Sequence, residues 1–173
     1  MPAKPSDPLT FMFQDDGSIP NNPLFPLLVY RNALALPSGD GAENAVERVF
    51  GQHHWGEMWR NGIYPYPHYH SMTHEAMGVA RGRVKARFGG NRGMELELSA
   101  GDVAILPAGT GHQCLWASPH LMVIGAYPKT GRYDLCRGSK AEHEKALVTI
   151  PRVPLPETDP VYGADGPLAK LWR

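Results

Sequence analysis

The chain has 173 residues, long enough for one domain with its own core and no disulfide staples. Seventeen basic side chains balance seventeen acidic ones, so no basic face is available to neutralise nucleic-acid phosphates or an anionic membrane. The 19 Gly and 17 Pro are scattered, which punctuates many short elements and favours an all-β fold over a helix bundle.

Residues 1–26 are rich in Pro, Asn and Asp and read as an extended arm, with no apolar run that would mark a signal peptide. Leu27 to Arg31 is a first strand or a short helix, and Pro37 to Glu43 is a loop. From about Val46 to Tyr127, short β-like runs alternate with turns. The clearest hairpin is Arg83 to Ser99. Val84, Ala86 and Phe88 alternate with Arg83, Lys85 and Arg87, and Met94, Leu96 and Leu98 alternate with Glu95 and Glu97. Period-two alternation separates an apolar face from a charged one, and Gly89, Gly90, Asn91 and Gly93 supply the turn. Asp102 to Pro107 is a further strand, and His112 to Ala117 and Leu121 to Tyr127 follow as a pair. Ser139 to Leu147 is a helix, with Ser139 as cap and Glu142 completing a capping box. The tail from Pro151 carries five prolines, and its apolar end, Leu168 and Leu171–Trp172, suggests a packed tail. The chain thus divides into an arm (1–45), a barrel (46–135), and a C-terminal helix and tail packed on the barrel (136–173).

Cys114 and Cys136 are too few for a disulfide framework, and the absence of a CxxC pair argues against a zinc knuckle. A reducing cytoplasm is the simple expectation. No stretch of about 18 apolar residues suggests a membrane span. No GxSxG elbow is present, and Gly109–Gly111 lacks the length and the Lys of a P-loop.

The chemistry concentrates in two places. His68 and His70 are two residues apart, so on a strand they share one face. Glu75 lies seven residues after His68, the wrong phase for one unbroken strand, so a bend at Ser71–Thr73 must reset it. Glu75 then travels with Met77 and Val79, and His74 with Ala76 and Gly78. The bulkier apolar pair puts Glu75 inward and His74 outward. A carboxylate facing an apolar interior is costly unless a cation compensates it. The second place is the apolar strand that runs into Pro107-Ala108-Gly109-Thr110-Gly111 and delivers His112. Imidazoles with a carboxylate suit middle-to-late first-row divalent metals.

These stretches resemble the two cupin motifs. The first runs Gly62, five residues, His68, one, His70, four, Glu75, six, Gly82; the second runs Gly101, five, Pro107, one, Gly109, two, His112. Trp116 stands where the family usually has Asn, a departure that touches packing or the pocket wall and not the ligands. The flanks Asp16-Gly17-Ser18-Ile19-Pro20-Asn21-Asn22-Pro23, Trp59-Arg60-Asn61-Gly62-Ile63-Tyr64 and Asp159-Pro160-Val161-Tyr162-Gly163 resemble the YjlB-type group of small bacterial cupins.

The resemblance implies an all-β double-stranded β-helix, the cupin jelly roll. It implies one divalent transition metal (Fe, Mn, Ni, Zn or Cu) on His68, His70, Glu75 and His112, and a homodimer. It brings no settled reaction. The plain alternative is a barrel that kept the motif and lost the metal, and His74 is the rival ligand for His68 or Glu75. Tyr64, Tyr66, His74, Met77, Trp116 and Tyr127 are candidate pocket residues; for Met77 and Cys114 core packing is the better reading, and Trp55 and Trp59 suit packing or an interface. The expected function is a metal-dependent enzyme, dioxygenase- or isomerase-like, on a small polar molecule. A non-catalytic binding or sensing cupin is the other reading.

Overall fold

The computed structural model describes residues 5–173. Its strands are β1 (Leu9–Phe11), β2 (Leu27–Tyr30), β3 (Trp55–Asn61), β4 (Glu75–Arg81), β5 (Arg83–Phe88), β6 (Met94–Ser99), β7 (Val103–Leu106), β8 (His112–Ala117) and β9 (Met122–Pro128). They form a six-stranded sheet, β1-β2-β7-β4-β9-β3, and a three-stranded sheet, β6-β5-β8. Every strand pairing is antiparallel. The fold is the expected double-stranded β-helix.

The larger sheet is covered on both faces. Its inner face carries Leu27, Val29, Met77, Val79, Ala104 and Leu106, packed against Val84, Ala86, Phe88 and Leu98 of the smaller sheet. Its outer face carries Leu28, Tyr30, Ala76, Val103, Ile105 and Ile124 under a second apolar layer. Burial on both sides is why β2 and β7 read as unbroken apolar runs, LLVY and VAIL, without alternation. β2 is an interior strand of this sheet, so the stretch read as an arm contains barrel backbone.

Part of the outer cover is the helix α1 (Ala42–Gln52), where the sequence suggested β-like runs from Val46. Ala42, Val46 and Phe50 recur every four residues and are buried, the stripe of an amphipathic helix. The rest of the cover is the tail, with Val161, Leu168 and Trp172 in the same cluster. The tail is not free of helix: α3 (Leu168–Leu171) is a single turn. The helix α2 (Lys140–Thr149) has the expected capping box between Ser139 and Glu142.

The hairpin is as read, with Lys85 opposite Glu97 and Arg87 opposite Glu95, though Met94 is exposed rather than inward. β8 and β9 are not a pair. β8 pairs with β5 and β9 with β4 and β3, so the turn between them crosses from one sheet to the other.

Gly78 marks how closely α1 lies on β4. A Cβ there would sit 2.8 Å from Val46 Cγ1 and 3.0 Å from Phe50 Cζ, whereas one at Gly56 meets nothing within 4 Å. Gly78→Ala is therefore expected to cost about 1–3 kcal/mol by overpacking. Gly56→Ala should be near neutral. Urea unfolding of both variants checks this, and equal midpoints would contradict the close contact.

Candidate metal centre

The backbone between β3 and β4 is not a regular strand. It is stitched in place by single contacts. His68 N–H donates to the His112 carbonyl at 3.2 Å, and His112 N–H donates back to His68 at 2.9 Å. Tyr69 exchanges the same pair of bonds with Cys136. Gly109 N–H donates to the His70 carbonyl at 2.7 Å, which ties the first motif to the turn of the second. Gly109 has φ +92°, and a Cβ there would lie 2.7 Å from the Asn21 carbonyl, so glycine is required. The N-terminal stretch braces this turn: Asn22 Nδ2 donates to the Ala108 carbonyl, and Asn21 Oδ1 accepts from Gly111 N–H.

His68, His70 and His112 are buried, and one ring nitrogen of each lies within 4.8 Å of the others. Their other nitrogens face backbone carbonyls. His68 Nδ1 is 3.0 Å from Tyr66 O, His70 Nδ1 is 2.5 Å from Asp134 O, and His112 Nδ1 is 3.0 Å from Thr110 O. A carbonyl oxygen only accepts, so each Nδ1 carries the hydrogen. In the neutral rings each Nε2 is then a bare lone pair. Glu75 Oε2 lies 2.9 Å from His70 Nε2 and 3.3 Å from His112 Nε2. It is buried and has no hydrogen-bond donor while those rings are neutral, because the nitrogens around it then have no hydrogen to give.

The electrostatics agree. Burial, with His112 beside it, pushes His68 down to about 3, so its ring stays neutral. Burial alone would raise Glu75, but positive charge on His70 and His112 outweighs it and holds the carboxyl below its ordinary range. Burial would lower His70, but Glu75 outweighs that and raises it. One proton shared by His70 and Glu75 would still leave the His68 and His112 lone pairs facing each other. A cation satisfies all four groups together, so the buried triad could hold a metal ion.

Above these groups lies a cavity of about 440 Å³. Tyr64, Met77 and Tyr127 line it. Tyr66 sits one ring back, stacked on Tyr64 at 5.1 Å. Two candidates are elsewhere. Trp116 is 47 % exposed, beneath Arg83. β8 takes two steps from Cys114 to Trp116 while β5 takes one, from Ala86 to Lys85. This bulge at Leu115 breaks the two-residue phase from His112 and turns Trp116 out. Cys114 is partly buried against the core. His74 is buried on the sheet's opposite face. Its Nδ1 accepts from Ala108 N–H, its Nε2 donates to Pro154 O, and Trp172 packs on it. It is therefore neither pocket wall nor rival ligand.

No protein-family model matches the chain. It is 40 % identical over 163 residues to the uncharacterised protein YjlB of Bacillus subtilis (strain 168), covering 94 % of this chain and 95 % of that one. The chain belongs to the YjlB family of cupins. Among solved structures it is similar to a double-stranded β-helix protein of Klebsiella pneumoniae, at 17 % identity and TM-score 0.35, over 80 % of this chain and 87 % of that one. It is also similar to an acireductone dioxygenase of Bacillus anthracis with a cadmium ion in its active centre, at 15 % identity and TM-score 0.37, over 51 % and 60 %.

Other cavity residues of this YjlB-family chain were not among the pocket candidates read from the sequence. Trp59 lines the cavity rather than only packing, and its Nε1–H donates to Tyr127 Oη at 2.9 Å. Tyr133 stands beside His70, at 5.1 Å between ring centroids. Gly125, whose missing side chain makes room for the indole, is what places Trp59 against the cavity.

His74 yields a pH test. Burial depresses it from 6.5 to about 4, opposed by its bond to Pro154. At pH 7 it is neutral in both folded and unfolded chains. Below 6.5 the unfolded chain takes up a proton that the folded chain refuses until about 4, so stability falls as pH drops through that window. Wild type should lose on the order of 2–3 kcal/mol more between pH 7 and pH 4 than His74→Gln, whose amide can keep both hydrogen bonds. Urea unfolding across that range checks it. His68 contributes equally to both proteins, so parallel stability curves would contradict the assignment.

Proposed function

We propose that the chain is a metal-dependent cupin in which His68, His70, Glu75 and His112 hold one divalent transition metal, and that it acts as an enzyme, dioxygenase- or isomerase-like, on a small organic molecule. The observation that carries this is the donor set: three imidazole lone pairs and an ionised carboxylate oxygen turned on one another with no hydrogen between them. This set suits Fe, Mn, Ni, Zn or Cu better than Mg or Ca, which prefer oxygen ligands throughout. A bound ion of this kind supplies a Lewis-acidic centre and, as iron or manganese, a redox couple.

The chain's own groups do the remaining work. The Tyr66, Asp134 and Thr110 carbonyls keep the three rings in one tautomer and orientation. Asp134 is itself held, its carboxylate accepting from Ser71 N–H at 2.8 Å and from the Ser71 hydroxyl. Tyr127 Oη receives the Trp59 hydrogen bond and lies 3.5 Å from Glu75 Oε1, the oxygen turned away from the rings. Ile63 and Met77 give the cavity apolar wall that keeps water from a bound molecule.

Elemental analysis of protein purified without added metal tests the reading. About one transition-metal ion per chain is expected. His112→Ala should lose it, and Glu75→Gln should weaken binding by more than the roughly 10–100-fold that loss of a supporting group costs. Full occupancy in His112→Ala would mean the ligand set is wrong. Oxygen uptake by the iron-loaded protein with phenols, diols and keto acids then tests turnover, and silence with every metal and compound would leave a binding module.

A further inference from the structure

The approach to the metal centre is aromatic, and among the described residues the cavity offers no free side-chain cation. Resting on the reading of the site given above, we infer that the cavity selects a planar aromatic molecule with at most one ionised oxygen. The ring lies among Tyr64, Tyr133 and Trp59, and the oxygen turns toward His68, His70, Glu75 and His112.

Three observations support this. The first is the placing of the rings. Tyr64 stands 5.2 Å from His68 and Tyr133 stands 5.1 Å from His70, centroid to centroid, so the two flank the histidines. They remain 43 % and 47 % exposed although they line the cavity. Large aromatic surface left open at the mouth of a cavity is surface available to a ligand ring. Trp59 completes the wall. A Cβ at Gly125 would lie 1.9 Å from its Cε2, so the glycine allows the indole to lie against β9 instead of filling the space. Its N–H is already committed to Tyr127, so it meets a ligand as a ring and not as a donor.

The second observation is charge. Apart from the four central groups, the charged residues lining the cavity are Glu57 and Arg60. Arg60 is turned back to α1, where its Nε and Nη2 make three hydrogen bonds to Glu47 and Asn44. The nearby Arg137 lies over the Tyr66 ring at 3.8 Å and does not line the cavity. Glu57 stands exposed at the rim. A bulge, three steps from Gly56 to Trp59 on β3 against two from Tyr127 to Gly125 on β9, places it there with φ 49°. A dicarboxylate or phosphate ester would bring a second anion into this cavity with no cation to receive it and an acid at the door.

The third is size. About 440 Å³ lies in the ordinary range of small-molecule sites and holds one or two fused rings.

Calorimetric titration of the full-length, metal-loaded protein tests the inference with three probes: 2-naphthol, decahydro-2-naphthol and malonate. The first two share a two-ring carbon skeleton and one hydroxyl but differ in aromaticity, with the planarity and hydroxyl acidity that go with it. Tyrosine variants therefore separate ring contact from acidity. The third carries two carboxylates. The naphthol is expected to bind at least about tenfold more tightly than its saturated counterpart, the worth of two ordinary aromatic contacts. It should also bind more tightly than malonate. Tyr64→Leu with Tyr133→Leu should remove the aromatic preference and leave metal content and melting temperature unchanged. Equal affinity for the two alcohols, or tighter binding of malonate, overturns the inference. Metal content is measured on the same samples, and the naphthol pair is repeated on chelator-treated protein. A preference that persists in protein that never holds metal would sink the metal reading and keep the aromatic one. Stoichiometric metal without the preference would do the reverse.

Discussion

Three backbone carbonyl oxygens, those of Tyr66, Asp134 and Thr110, decide what the middle of this barrel can hold. Each takes the Nδ1 hydrogen of one buried histidine and so leaves a lone pair on the opposite nitrogen. Glu75 adds a carboxylate oxygen to the same space, which needs positive charge beside it to stay ionised against the pull of burial. Four electron-pair donors turned on one another repel unless a cation lies between them. Most of the local architecture follows from the need to hold them there.

The holding is done by residues far apart in the chain. The His68–His112 bridge joins the loop before β4 to the start of β8, and the Gly109 contact to His70 closes the other side. Asn21 and Asn22 reach from the N-terminal stretch to brace the turn that carries His112. Behind the sheet, His74 clamps that turn and the Pro-rich tail from the face opposite Glu75. Glu75, the first residue of β4, and His74 just before it thus serve the two faces of one sheet, Glu75 toward the cavity and His74 toward the cover. Alternation along a strand is enough to separate a polar centre from a structural clamp one residue away.

How much of this was legible depends on the reach of each signal. His68, His70, Glu75 and His112 stood out because ligand chemistry and strand phase coincide in short stretches, and the companions of Glu75, Met77 and Val79, gave its face. The Arg83–Ser99 hairpin was legible through its opposed charges. The helix α1 carried a readable four-residue spacing at Ala42, Val46 and Phe50, obscured by the β-like character of its surroundings. Trp116 was misplaced because a bulge at Leu115 shifts phase without any glycine or proline to mark it. Tyr133 and Asp134 sit in an irregular loop whose position is set only by the folded barrel. Trp59 depends on a vacancy at Gly125, 66 positions away in the chain. Local chemistry is readable in sequence; the meeting of distant loops, and the space a missing side chain leaves, are not.

Crystals of the protein as purified, measured above and below the absorption edge of the metal it carries, test the central claim most directly. The account predicts one anomalous peak per chain, about 2.0–2.2 Å from the Nε2 atoms of His68, His70 and His112 and from a Glu75 oxygen. A protein that carries stoichiometric metal but shows its peak elsewhere, or shows these four groups filled by water alone, would contradict it.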